Sequence, residues 1–132
     1  MSMSEKFKKA RVLVIGDIIY DRYWFTEVTR ISPEAPVPIA QHLKEDMKIG
    51  GAANVAANCS SLGANTMVIG CVGDDYEGNK IKQELDRLNV KNKLLVLKKQ
   101  SSIIKHRIIS QNQHILRIDF DNGYIIKPSD AI

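Results

Sequence analysis

The 132-residue sequence predicts an α/β fold, and three observations carry that expectation. Arg11-Val12-Leu13-Val14-Ile15-Gly16-Asp17 is a continuous apolar run closed by Gly-Asp, the pattern of a strand buried on both faces of a parallel sheet. Thr66 to Val72 repeats the pattern and ends at Gly73-Asp74-Asp75. Between and after these runs lie two segments of helical character, so strand, helix, strand and helix follow one another, as right-handed crossovers in a parallel sheet require.

Taken in order, the first strand covers Arg11 to Asp17. From Tyr23 to Gln41 short strands are expected around the turn-rich Ser32-Pro33-Glu34-Ala35-Pro36-Val37-Pro38, whose prolines exclude a helix and demote any strand to a sheet edge. Gly50-Gly51 opens a helix over Ala52 to Leu62, whose small residues suit tight packing and whose Gly63 supplies a stop. After the second buried strand, Ile81, Leu85 and Leu88 recur at helical spacing and predict an amphipathic helix over Tyr76 to Leu88. Ser102 to Ser110 and Ile115 to Phe120 form a hairpin about Gln111-Asn112-Gln113-His114. In its second arm Leu116, Ile118 and Phe120 alternate with Arg117 and Asp119, so one face is apolar and the layer stands open to solvent or a ligand on the other. Pro128-Ser129-Asp130 reads as a helix start two residues before the sequence ends, which predicts a fold continuing past Ile132.

Composition narrows the function. Apolar residues make up 44% and charged residues 26%, ordinary for a globular chain and too apolar for disorder. The most apolar stretch, Val12 to Tyr20, is short and holds Asp17, so a membrane span and a signal peptide are both disfavoured. Cys59 and Cys71 fit no metal spacing and read as small apolar side chains rather than a bridge. The chain reads as cytosolic and soluble.

The net charge of +4 is uneven: residues 12–79 hold nine acidic and four basic side chains, residues 80–107 nine basic and two acidic. A basic block suits nucleic acid or a phosphorylated small ligand. Aromatic residues are not interleaved with the block, and much of it reads as the solvated face of a Lys-rich helix, so nucleic acid is the poorer partner.

The strongest chemical signal is Gly50-Gly51-Ala52-Ala53-Asn54. Adjacent glycines let a ligand approach the backbone, and the helix they begin presents unpaired N–H groups and a partial positive charge. Asn54 can both donate and accept, which suits a hydroxylated sugar. On these residues alone, a tight strand-to-helix turn with Asn54 as a local hydrogen-bonding residue is the better explanation of the segment.

With its spacing to Gly63 and Gly73, the segment resembles the N-terminal signature of the ribokinase-like (PfkB-type) sugar kinases. Gly16-Asp17-Ile18-Ile19-Tyr20-Asp21-Arg22-Tyr23-Trp24, Arg30-Ile31-Ser32-Pro33-Glu34-Ala35-Pro36-Val37-Pro38, and Arg107 to Gln113 with Arg117-Ile118-Asp119 are similar to the kinases of that family that act on D-glycero-β-D-manno-heptose 7-phosphate. The resemblance runs from about Arg11 to Phe120. It implies a Rossmann-like parallel sheet with flanking helices and a small β lid built from about residues 23–42 and 102–120, the whole being the N-terminal part of one kinase domain.

It also implies an activity: transfer of the ATP γ-phosphate, with Mg²⁺, to the anomeric hydroxyl, giving the 1,7-bisphosphate used for ADP-heptose and lipopolysaccharide. Asp17, Gly50, Gly51 and Asn54 would hold the sugar. Asp21 would either orient the lid or bind sugar. Arg30, Lys105 and Arg107 are candidates for the 7-phosphate, each also readable as a plain surface charge. A homodimer through the lid is implied too.

The family's general base and anion hole come from a late Gly-Ala-Gly-Asp motif, which these 132 residues lack, together with any Walker sequence, Gly-x-Gly-x-x-Gly or His-x-Gly-His. The base is therefore expected beyond Ile132, and the chain alone is expected to be inactive and to bind nucleotide poorly. Asp75 in Gly70-Cys71-Val72-Gly73-Asp74-Asp75 is the nearest imitation and reads as a helix cap. Kinases of another sugar, or a non-catalytic sugar-binding or dimerisation module, are the alternatives.

Overall fold

The computed structural model describes residues 2–130. Its elements are α1 (Met3–Lys9), β1 (Arg11–Ile15), β2 (Ile18–Ile31), β3 (Pro38–Gly50), α2 (Gly51–Ser61), β4 (Asn65–Gly73), α3 (Tyr76–Arg87), β5 (Lys91–Leu97), β6 (Ile103–Ser110) and β7 (Gln113–Phe120), followed by a 3₁₀ turn at Pro128–Asp130. Two sheets result. One is parallel in the order β1-β4-β5, and the other has the order β3-β2-β6-β7. In the second sheet β2 pairs antiparallel with β3 and parallel with β6, and β6 pairs antiparallel with β7.

The expected α/β body is present, but β1 is not buried on both faces: Leu13 is 55% and Ile15 71% exposed, because α2 covers only one face of the strand and no described residue covers the other. Ile81 and Leu85 of α3, Ala53 and Ala56 of α2, and Val68 of β4 are fully buried and form one cluster with Ile18. Asp75 caps α3 by accepting a hydrogen bond from Gly78 N at 2.8 Å. Cys59 and Cys71 are free thiols of intermediate burial rather than core residues.

Several elements differ from the expectation, each for a physical reason. The first strand stops at Ile15, because Gly16 and Asp17 turn the chain into the second sheet. Instead of short strands over 23–41, β2 is a continuous strand of 14 residues and β3 one of 13. Two register shifts let the long hairpin bend without breaking. Pro33 and Pro36 sit in the connection and Pro38 at the first residue of β3, an edge strand, while β2 lies inside the sheet.

The basic block is helical only as far as Arg87; Lys91–Leu97 is a strand in which charged Lys91 and Lys93 alternate with half-buried neighbours. A seven-residue α1 was also not expected, although Ser2 and Glu5 form the capping box that announces it. The hairpin turn is tighter than the four residues expected. Only Gln111 and Asn112 lie outside the strands, at φ 49° and 63°, the two left-handed positions of a tight hairpin loop. Finally, β7 is exposed along its whole length: nothing among the described residues covers the face carrying Leu116, Ile118 and Phe120.

Candidate functional site

Gly50 and Gly51 form the corner where the second sheet returns to the body. Ala52 N donates to the Asp17 carbonyl at 2.9 Å, and Ile18 bridges Gly51. This draws the β1–β2 turn and the start of α2 together. Gly51 has φ +57°, and a Cβ there would run into the Asp17 carbonyl oxygen; a Cβ on Gly50 would run into the Asp21 carboxylate. Both glycines are thus required by close approach within the chain itself. No side chain caps α2 at Gly50.

Beside this corner, at the carboxyl ends of β1, β4 and β5, lies a cavity of about 500 Å³. Its polar lining is Asp17, Cys71, Asp121 and Tyr124, and its apolar lining includes Ile15, Ile69, Leu95, Ile103 and Ile126. Ligands of open α/β sheets gather at this end of the strands. Burial, and then the charge of Asp17, pushes the Cys71 thiol up. Burial likewise raises the Tyr124 phenol. Asn54 lies in α2, is exposed, makes no side-chain hydrogen bond among the described residues and does not line the cavity.

Strand alternation places Asp21 and Tyr23 of β2 on one face with Lys48 and Asp46 of β3 and with Lys105 and Arg107 of β6. Arg107 forms an ion pair with Asp21 and stacks over the Tyr23 ring at 5.2 Å. Burial works against the Arg107 charge, but the Asp21 carboxylate outweighs it and holds the guanidinium above its ordinary range. Lys105 stands opposite Asp21 and Asp119 in register and is in no ion pair among the described residues. Arg30 is not part of this group. It is exposed near the far end of β2, nine residues from Asp21, or about 30 Å at a strand's rise.

Asp75 does more than cap α3. Its carboxylate also accepts from Ser102 N and Ser102 Oγ, both at 2.7 Å, while Ser102 Oγ accepts from Gly73 N at 3.0 Å. One carboxylate therefore joins the end of β4, the start of α3 and the root of β6. A second tie between the sheet and the body is the Arg22–Glu77 ion pair at 2.8 Å.

Sequence reasoning missed Cys71, Asp121 and Tyr124 as cavity-lining groups and Ser102 as the partner of Asp75. The Asp121-Asn122-Gly123 turn signal after β7 was the available hint that the chain doubles back there.

The geometry, a parallel sheet with a second sheet beside a cavity at its carboxyl ends, is that of a sugar-kinase fold, and comparison with known proteins agrees. Residues 9–128 match the pfkB family carbohydrate kinase pattern, and the chain belongs to that family. It is 42% identical over 132 residues to a bifunctional protein HldE of Actinobacillus pleuropneumoniae, covering 100% of this chain and 28% of that protein. It is 43% identical over 118 residues to a D-beta-D-heptose 7-phosphate kinase of Bordetella bronchiseptica, covering 89% of this chain and 38% of that one.

Among solved structures, a ribokinase from Giardia lamblia aligns with TM-score 0.69 at 19% identity, covering 92% of this chain and 39% of its own. A ribokinase from Cryptococcus neoformans in complex with ADP aligns with TM-score 0.67 at 20% identity, covering 90% and 37%. The fold is therefore ribokinase-like, and the chain spans well under half the length of these relatives. No helix among the described residues is long and apolar enough to cross a membrane. No three His, Cys, Asp or Glu side chains among them converge as metal ligands.

Proposed function

We propose that this chain is the sugar-binding, N-terminal part (residues 1–132) of a cytoplasmic kinase that phosphorylates D-glycero-β-D-manno-heptose 7-phosphate at its anomeric hydroxyl. The observation that carries the reading is Asp17 beside the Gly50-Gly51 corner, on the wall of the cavity at the strand ends. The 43% identity to a heptose 7-phosphate kinase supports the choice of sugar.

Asp17 takes hydrogen bonds from sugar hydroxyls in the cavity, and Asn54 with the Gly50-Gly51 backbone, which do not line it, contact the sugar only where it extends past the cavity toward the start of α2. The second sheet acts as the lid. Asp21 orients it by holding Arg107, which leaves Lys105, in no ion pair among the described residues, as the candidate cation for the 7-phosphate. Arg30 stands too far along β2 to share that phosphate within one chain. A homodimer through the lid accounts for the exposed Leu116, Ile118 and Phe120.

ATP with Mg²⁺ supplies the transferred phosphoryl group. We assign the base that deprotonates the anomeric hydroxyl, and the helix start that stabilises the phosphoryl charge, to parts of the kinase outside these residues.

Calorimetric titration of heptose 7-phosphate tests the reading. Binding by the unaltered chain, weakened about tenfold or more in Asp17→Asn, is expected for a lost charge-assisted hydrogen bond. No binding, or equal binding by Asp17→Asn, contradicts it. Asn54→Ala is expected to weaken binding less, and a tighter fit to another sugar phosphate would transfer the reading to that sugar.

A further inference from the structure

The chain after β7 turns back to form part of the cavity wall. Gln100 clamps this segment at Ile125, its side chain donating to the backbone carbonyl and accepting from the backbone N–H, each at 2.8 Å. Tyr124 Oη accepts a hydrogen bond from Ile103 N at 3.2 Å, fixing the same segment to the root of β6. The result carries Asp121 to the cavity that Asp17 lines.

Asp121 Oδ1 accepts from Gly123 N at 3.1 Å in a local turn, and Oδ2 has no partner among the described residues. Neither Asp17 nor Asp121 is in an ion pair among those residues. Asp17 and Asp121 are both solvent-exposed, and they line one cavity whose remaining lining is largely apolar. They accept hydrogen bonds and repel anions, so they favour a neutral, hydroxyl-rich group and disfavour a phosphate.

We infer that Asp121 is a second substrate-binding carboxylate, which accepts hydrogen bonds from sugar hydroxyls and turns the anionic end of the substrate away from the cavity, toward Lys105. The inference rests on the proposed function and names a residue and a substrate orientation within that site. Tyr124 and Gln100 are positioning residues that hold Asp121 in place.

The test is calorimetric titration of the 132-residue chain and its Asp121→Asn variant with two probes, heptose 7-phosphate and heptose 1,7-bisphosphate. Asn at 121 keeps an acceptor for Gly123 N, so the turn survives; circular dichroism checks the fold, and Asp121→Ser is the second variant if Asn does not fold. Asp74→Asn, an exposed carboxylate outside this cavity, is the control.

The expected result is a roughly tenfold loss of affinity for the monophosphate, with the preference for monophosphate over bisphosphate narrowed about threefold, and neither change in the control. Unchanged affinity in Asp121→Asn, while Asp17→Asn loses binding, would overturn the inference and leave the proposed function standing. A loss of affinity with the preference intact would mark Asp121 as merely structural and overturn it too. Failure of the unaltered chain to bind either probe would overturn the proposed function, and this inference with it.

Discussion

The two sheets are built by different rules. The parallel β1-β4-β5 sheet packs against α2 and α3, and its core side chains Val68, Ile81 and Leu85 are fully buried. The β3-β2-β6-β7 sheet contributes only its root to that core, through Ile18, Tyr20 and Ile49, while Leu116 and Phe120 at its other edge are half exposed. Apolar burial holds the body together. Strand pairing, a few polar ties to the body and the burial of Thr26, His106, Ile109 and Ser110 within it hold the second sheet, whose surface elsewhere carries charge. A surface that carries charged side chains cannot also be a dry core.

That contrast makes graded predictions. Leu85→Ala, in the body, is expected to lower unfolding free energy by about 3 kcal/mol through lost burial and a residual cavity, whereas Leu116→Ala in β7 stays within about 0.5 kcal/mol. Denaturant melts of the two variants measure the gap, and equal losses would erase the distinction.

Next in size is the knot between the regions. Asp75→Ala removes the α3 cap and both hydrogen bonds to Ser102, and is expected to cost about 2 kcal/mol. Faster amide exchange at Ile103 and Ile104 than in the rest of β6 would show that the root of the second sheet loosens with it. A double-mutant cycle on Arg22 and Glu77, ion-paired at 2.8 Å with both side chains mostly buried, should return a coupling of about 1 kcal/mol. No coupling would mean that this latch contributes nothing.

The smallest effect concerns pH. His106 lies in β6 edge-on to Trp24, with ring centroids 4.2 Å apart, and its buried Nε2 has no partner among the described residues. Burial, then the neighbouring Arg22 charge, lowers its pKa below the ordinary histidine value, with Glu45 opposing. Because the unfolded chain takes up a proton near pH 6.5 that native His106 resists, stability is full above that pH and declines as pH falls through it. Melting temperatures of the chain and of His106→Gln across this window check the sign; a flatter profile in the variant is expected.

The body was legible in the sequence because its rules are local. Two continuous apolar runs ending in Gly-Asp, and Ile81 with Leu85 at helical spacing, fix the type of each element before any tertiary contact is known. The second sheet was legible only in part. Its long β2 crosses polar residues such as Asp21, Arg22 and Thr26, whose pairing is set by distant partners in β3 and β6, so the run was expected to break into short strands. β5 was hidden by its lysines, which fit a solvated helix as well as an edge strand.

At the site, Asp17 and the glycines were visible as a motif. The pairing of Asp21 with Arg107 was not, since 86 residues separate them and nothing local marks the contact. Arg30 illustrates the converse: a motif residue of the right charge that strand geometry carries away from the cavity.

The crystal structure of this chain with heptose 7-phosphate is the most direct test. Sugar hydroxyls are expected within hydrogen-bond distance of the Asp17 carboxylate, at the cavity where β1, β4 and β5 end, with the phosphate toward Lys105. A sugar bound elsewhere, or a phosphate lying between Asp17 and Asp121, would contradict that placement.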